Sequence, residues 1–248
     1  MPIHLYKPIG LTPLELINKY KNDNNFKDSK FSFAGRLDPM AHGEMIILKD
    51  LETKTQDNYC GLDKEYEFEI LFGFSTDTYD ILGLVDNYNL DFDQKIIHNL
   101  NITNYIGNQE QYYPPYSSII VNKKPLWLWS KENKLDEIEI PKKKINIYSI
   151  ESLESEIKYN NYNKLYNLID KRIHSLNENN YDKFRVKQIS KRWESILLKK
   201  DVKMNPIIKR YKIKCSSGTY VRGLTDKIGK ELGIGACALE IKRTKIII

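Results

Sequence analysis

The sequence predicts an α+β fold, with several short strands and flanking helices. Three observations predict it. First, short β-like segments recur at Met45–Leu48, Tyr66–Phe72, Ile119–Val121, Ile145–Ile150, Ile207–Cys215 and Ala238–Ile248. They alternate apolar and polar residues or form short β-branched runs. Second, other segments carry apolar residues at helical spacing, and the first of these has a complete start signal. Third, 248 residues with 41% hydrophobic and 29% charged content suffice to bury a core.

Composition sets further bounds. No apolar run is long enough to span a bilayer, and the N-terminus lacks a signal-peptide pattern, so an intracellular protein is expected. Cys60, Cys215 and Cys237 are an odd set without CxxC spacing, which argues against a disulfide framework or a zinc site. His4, His42, His98 and His174 are scattered, so no metal is expected. The net charge of +6 permits a polyanionic partner without diagnosing one. Lys and Asn are abundant throughout, which weakens the charge as a signal.

In chain order, Ile3–Tyr6 opens an apolar stretch that runs into Lys7-Pro8-Ile9-Gly10. Thr12-Pro13-Leu14-Glu15 then starts a helix: Thr as N-cap, Pro at the first helical position, Glu three residues after the cap. Leu14, Ile17 and Tyr20 are expected to form its apolar face. The segment 49–63 is helical or irregular. Phe74–Gly83 is dense in side chains that bond backbone in turns. Residues 93–106 read as one helix ending before Gly107. Tyr112, Tyr113 and Tyr116 around Pro114-Pro115 are either a stacking surface for bases or a rigid loop on the core.

Residues 154–200 change character, with no Gly or Pro and eleven Lys/Arg against six Asp/Glu. Leu165, Ile169, Ile173 and Leu176 fall at helical spacing, as do Ile189, Trp193, Ile196 and Leu197. Two amphipathic helices broken near Asn177–Asn180 are predicted. They are either an insertion with a solvated charged face or an element that grips RNA phosphates. After the strand ending at Cys215, the residues Val221, Leu224, Ile228 and Leu232 line a helix closed by Gly233.

The stretch Phe33-Ala34-Gly35-Arg36-Leu37-Asp38-Pro39-Met40-Ala41-His42-Gly43 is a structured loop, since Gly permits positive φ and Pro fixes its own. Asp38 is its only acid. On turn chemistry alone it is a carboxylate that accepts hydrogen bonds from nearby backbone amides. The order of motifs along the chain supports more. Lys7-Pro8-Ile9-Gly10-Leu11-Thr12, Gly35 to Gly43, Lys64-Glu65-Tyr66, Gly73 to Gly83, Gln111 to Asn122, Cys215-Ser216-Ser217-Gly218-Thr219-Tyr220-Val221-Arg222 and Gly233 to Arg243 occur in one sequence. With these motifs the chain resembles the TruB family of pseudouridine synthases over nearly its whole length outside 154–200.

The resemblance implies a pseudouridine synthase fold, a mixed, mostly antiparallel sheet with flanking helices and a central RNA-binding cleft, and roles by position. Asp38 is the expected nucleophile, with Arg222 as its partner. Tyr66 is expected to stack on the flipped uracil, Tyr220 and Ile241 to line its pocket, and Phe33 to stand where the family has a histidine that helps flip the base. The chemistry suits these residue types. A carboxylate can attack covalently at the ribose or the base and split one hard step into two. A guanidinium keeps it ionised. An aromatic face offsets lost base stacking. No cofactor is required.

Four departures stand out: Phe33, Arg36 in place of a small residue, Tyr6 in place of Asp, and the insertion at 154–200. Gly-Arg-Leu-Asp is typical of synthases acting on ribosomal RNA. The expectation is one catalytic domain over 1–248 with a basic helical insertion and no C-terminal PUA domain. It is expected to be a monomer that acts on the T-arm of tRNA at uridine 55. Alternatives are a synthase acting on another RNA and a catalytically silent tRNA-binding protein.

Overall fold

The computed structural model describes residues 1–153, 161–199 and 205–248. Eight strands build the main sheet: Ile3–Lys7 (β1), Phe31–Ala34 (β2), Ala41–Lys49 (β3), Asp63–Phe72 (β4), Gly107–Tyr112 (β5), Lys142–Leu153 (β6), Ile208–Cys215 (β7) and Ala236–Ile247 (β8). Their order is β1-β3-β8-β4-β7-β6-β5, with β2 paired to β3. All pairings are antiparallel except the short parallel contact of β3 with β8. The predicted mixed, mostly antiparallel sheet is therefore present. Five helices matter for the site: Pro13–Asp23 (α1), Leu126–Lys131 (α2), Tyr162–Ile173 (α3), Val186–Leu197 (α4) and Val221–Glu231 (α5).

Period-two alternation puts a core on each face of the sheet. Along β4, Phe68, Ile70 and Phe72 join Leu16 and Ile17 of α1 and Leu224 and Ile228 of α5. Leu71, between them, points the other way and joins α3 and α4. The last strand repeats the pattern, with Ala236 and Ala238 in the first core and Cys237 and Leu239 in the second. Leu165, Ile169 and Ile173 of α3 and Ile189 and Trp193 of α4 have no exposed surface. The Trp193 indole N–H donates to the Ile81 carbonyl at 3.1 Å. Two basic, amphipathic helices are thus sealed against the sheet by their apolar stripes. Residues 154–160 and 200 of the predicted insertion lie outside the described residues.

Polar ties reinforce this docking. Arg172 of α3 donates to the Leu239 carbonyl at 2.7 Å and to Glu240 at 2.5 Å. His42 meets the same carboxylate through Nε2 at 3.0 Å, while its Nδ1 lies 2.5 Å from the Tyr6 hydroxyl. With Tyr6 donating to Nδ1, the Nε2–H donates to Glu240. Tyr6 thereby joins a chain of bonds that links β1, β3, β8 and α3.

Two local expectations are corrected. Thr12 and Glu15 form the predicted capping box of α1, but its buried face is Pro13, Leu16 and Ile17, while Leu14 is 61% exposed. The 13, 16, 17 spacing follows the helical repeat and Leu14 falls off it. The single helix expected over 93–106 is two short pieces, Lys95–His98 and a 3₁₀ turn at Ile102–Tyr105. Asn101 separates them by accepting the Thr103 N–H on its own side chain at 3.2 Å.

Replacing Trp193 with Ala should cost about 3–5 kcal/mol of stability, read by denaturant unfolding, because it opens a cavity in the second core. Hydrogen bonds from His42, together with the nearby Arg172 charge, hold Glu240 down to about 2 from an ordinary 4.5. Its contribution is therefore present above pH 4.5 and lost as pH falls through about 2. In thermal melts across that window, Glu240→Gln should show a smaller acid-induced loss than the parent chain.

Candidate active site

Asp38 sits in the connection from β2 to β3, and several buried groups fix its backbone. Its carbonyl accepts the Ala41 N–H at 3.0 Å, closing a turn, and Gly10 N–H holds the Pro39 carbonyl at 2.9 Å. Lys7 is fully buried; its ammonium donates to the Leu11 carbonyl at 2.6 Å and the Pro8 carbonyl at 3.0 Å. Burial lowers it to about 7, against the pull of Asp38. Arg243 donates to the Gly35 carbonyl at 3.0 Å and the Glu44 carbonyl at 2.6 Å. Gly43 has φ +121°, and a Cβ there would lie 2.1 Å from the Arg243 carbonyl. Only glycine fits where β3 and β8 meet in parallel.

Arg222, in the first turn of α5, is 2% exposed. Its Nε donates to Asp38 Oδ2 at 2.7 Å. The other two nitrogens donate to the carbonyls of Thr78 at 2.8 Å and Tyr116 at 3.1 Å. Burial would lower this guanidinium, but Asp38 and Asp80 outweigh it and raise it above its ordinary value. The Asp38 side chain remains 30% open. A permanently charged, fixed donor thus aims an accessible carboxylate.

That carboxylate faces a cavity of about 260 Å³, which Tyr66, Tyr220 and Ile241 also line. Five of the six residues singled out in the sequence therefore come together, from the β2–β3 loop, β4, the start of α5 and β8. Burial raises the Tyr66 phenol, and burial followed by Asp38 raises Tyr220, so both rings are neutral at pH 7. Phe33 is not among the lining residues. It packs, half-buried, against the first core, and its carbonyl accepts the Gln56 amide at 3.0 Å.

Three further neighbours lie within the sequence motifs, but nothing in those motifs shows what they touch. The Gln111 side-chain amide clamps the Tyr220 backbone from both sides, accepting its N–H at 2.9 Å and donating to its carbonyl at 2.9 Å. Gln111 stands in a motif, yet its partner lies 109 residues away. Lys64 lines the cavity and is lowered to about 8 by burial, then by Arg243. Ser117 lines it with a buried hydroxyl that has no hydrogen-bond partner among the described residues. Those residues contain no group of His, Cys, Asp or Glu that could hold a metal, and no helix long and apolar enough to cross a membrane.

A family model described as TruB family pseudouridylate synthase (N terminal domain) matches residues 23–168. The chain is 27% identical over 246 residues to tRNA pseudouridine synthase B of Clostridium tetani, covering 98% of this chain and 66% of that protein. It is 29% identical over 242 residues to the protein of that name from Aquifex aeolicus, covering 97% of this chain and 66% of that one. The chain thus spans just under two thirds of the length of the curated relatives it matches. Among solved structures, a chain of a Cbf5-Nop10-Gar1 complex superposes with a TM-score of 0.57 at 19% identity, covering 99% of this chain and 48% of that one. At that identity the likeness is one of fold.

Asp80 supplies a pH signature of the site. Burial raises its carboxyl to about 6 from 3.8, against the pull of Arg222. A raised acid binds its proton more tightly in the folded state, so its contribution is fully present below pH 3.8 and lost as pH rises through about 6. Asp80→Asn should remove that decline, a difference on the order of 1–3 kcal/mol between the two chains across the window in urea titrations.

Proposed function

The chain belongs to the TruB family of pseudouridylate synthases, and we propose that it isomerises uridine to pseudouridine in RNA, at the T-loop uridine 55 of tRNA. The observation that carries this reading is the pair Asp38–Arg222, 2.7 Å apart, at the wall of a cavity that also presents Tyr66, Tyr220 and Ile241. The reaction breaks the C1′–N1 bond, turns the uracil and forms a C1′–C5 bond. The C5 proton is lost and N1 gains one, so the product is an isomer and no co-reactant is needed.

In this reading Asp38 is the nucleophile. Its attack divides the exchange into two easier steps through a covalent adduct. Arg222 pairs with the carboxylate and limits its rotation, since it is itself pinned by two carbonyls. The uridine must leave its stack to reach a buried site, and the neutral ring of Tyr66 offsets part of that loss. Ile241 supplies an apolar wall, and Ser117 a hydroxyl for a polar edge of the base or sugar. Gln111 is a positioning residue that acts through Tyr220.

Incubation with unmodified tRNA transcript and chemical mapping of pseudouridine tests the reading. Product at the T-loop uridine supports it. Product at another site would move the substrate to a different RNA position, and binding without product would overturn catalysis. Asp38→Asn should lower turnover by at least about 1000-fold while RNA binding stays within a few-fold. Turnover surviving that change would remove Asp38 from the nucleophile role.

A further inference from the structure

Asp38 and Arg222 do not form the floor of a single cavity. They stand in a wall between two. On the far side lies a second cleft of about 290 Å³, near the lower end of small-ligand site volumes. Arg36, Leu37, Ser118 and the Asp38–Arg222 pair line both clefts. The second cleft is walled by aromatic rings, Trp127 of α2, Phe184 and Tyr116, and by the cations Lys131, Lys183 and Arg185.

We propose that this second cleft binds the nucleotide adjoining the target uridine, with its base against Trp127 and Phe184 and the linking phosphate on Arg36. The proposal rests on the RNA-modifying reading above and names a second contact with the same substrate. Trp127 is 37% exposed although it is the largest apolar side chain there, and a sequence-tolerant stacking platform needs such an open face. Arg36 is exposed on the ridge shared by both clefts, where the backbone between two splayed nucleotides must cross. Lys131 and Lys183 are exposed and have no carboxylate partner among the described residues. The acids nearby are already engaged. Asp77 is held by Arg185 at 2.6 and 3.1 Å, Asp38 by Arg222, and Asp80 accepts from Thr78 and Leu82. The free charge of the cleft is therefore positive, as a phosphate requires.

The segment before α4 is built for this position. Arg185 adopts φ +58°, a left-handed conformation that a long side chain takes only under constraint. Its guanidinium is gripped by Asp77 and lies 4.8 Å from the Tyr116 ring. Those contacts present Lys183 and Phe184 to the cleft. The described part of the 154–200 region thus reaches the candidate active site through Lys183, Phe184 and Arg185, while its helices pack on the core.

The test uses the full chain and two unmodified tRNA transcripts, each carrying an abasic residue directly 5′ or 3′ of the target uridine. Binding is measured by fluorescence anisotropy. One abasic transcript should bind the parent chain about ten-fold more weakly than intact RNA. Trp127→Ala should bind intact RNA about ten-fold more weakly and lose nothing further on that abasic transcript. Lys183→Ala and Arg36→Ala should each lower the slope of log affinity against log salt by about one. The proposal is overturned if neither abasic transcript binds more weakly, or if the Trp127 and abasic losses multiply. Lys183 is exposed and outside the core, so an unchanged salt slope in its variant counts against the proposal even if Trp127→Ala fails to fold. Pseudouridine formation on the intact transcript is scored separately. Tight binding with an intact cycle but no product would sink the catalytic reading and leave the second cleft standing.

Discussion

The buried guanidinium of Arg222 is the constraint on which the site depends. A charge with 2% exposure costs several kcal/mol unless its donors are satisfied. Its partners come from three separate places: Asp38 in the β2–β3 loop, Thr78 in the turn after β4, and Tyr116 before α2. The fold must bring those three segments to the first turn of α5 or leave a charge unpaired in the interior. Satisfying the guanidinium and assembling the cavity are therefore one event.

The same economy explains the rest of the loop. Lys7 and Arg243 are also buried cations, and both spend their donors on carbonyls of residues 8–11, 35 and 44 rather than on carboxylates. Buried cations that bond backbone carbonyls act as struts for an irregular loop that has no sheet ladder of its own. They leave Asp38 as the carboxylate of this loop with an open side. The surrounding charge is positive, which suits a polyanion.

The two helices at Tyr162–Ile173 and Val186–Leu197 show what decides where a basic, amphipathic helix docks. Eleven basic residues across 154–200 invite a reading as an RNA-binding surface. The apolar stripes of these helices bury Leu165, Ile169, Ile173, Ile189 and Trp193 completely, closing the second face of the sheet and leaving the charged faces outward. Among the described residues of this region, the short connection at Lys183–Arg185 lines the cleft beside the site. Burial of five large apolar residues is worth far more than dispersed surface charge, so packing decides where the helices go.

Local pattern alone carried five strands of the main sheet (β3, β4, β6, β7 and β8), the capping box of α1, and the two helices, because each rests on a period or a signal within a few residues; β1, β2 and β5 are strands only because the packed sheet pairs them. Motif order in the sequence also carried Asp38, Tyr66, Tyr220, Arg222 and Ile241, which now line one cavity. The tertiary structure decided what no local pattern encodes. Gln111 clamps a backbone 109 residues away, Asp77 grips an arginine 108 residues away, and Phe33 turns into the core instead of the cavity. The physical reason is range. Periodicity says which face of an element is apolar, whereas the partner of a buried polar group is set by which distant segments the packed sheet brings within hydrogen-bond reach.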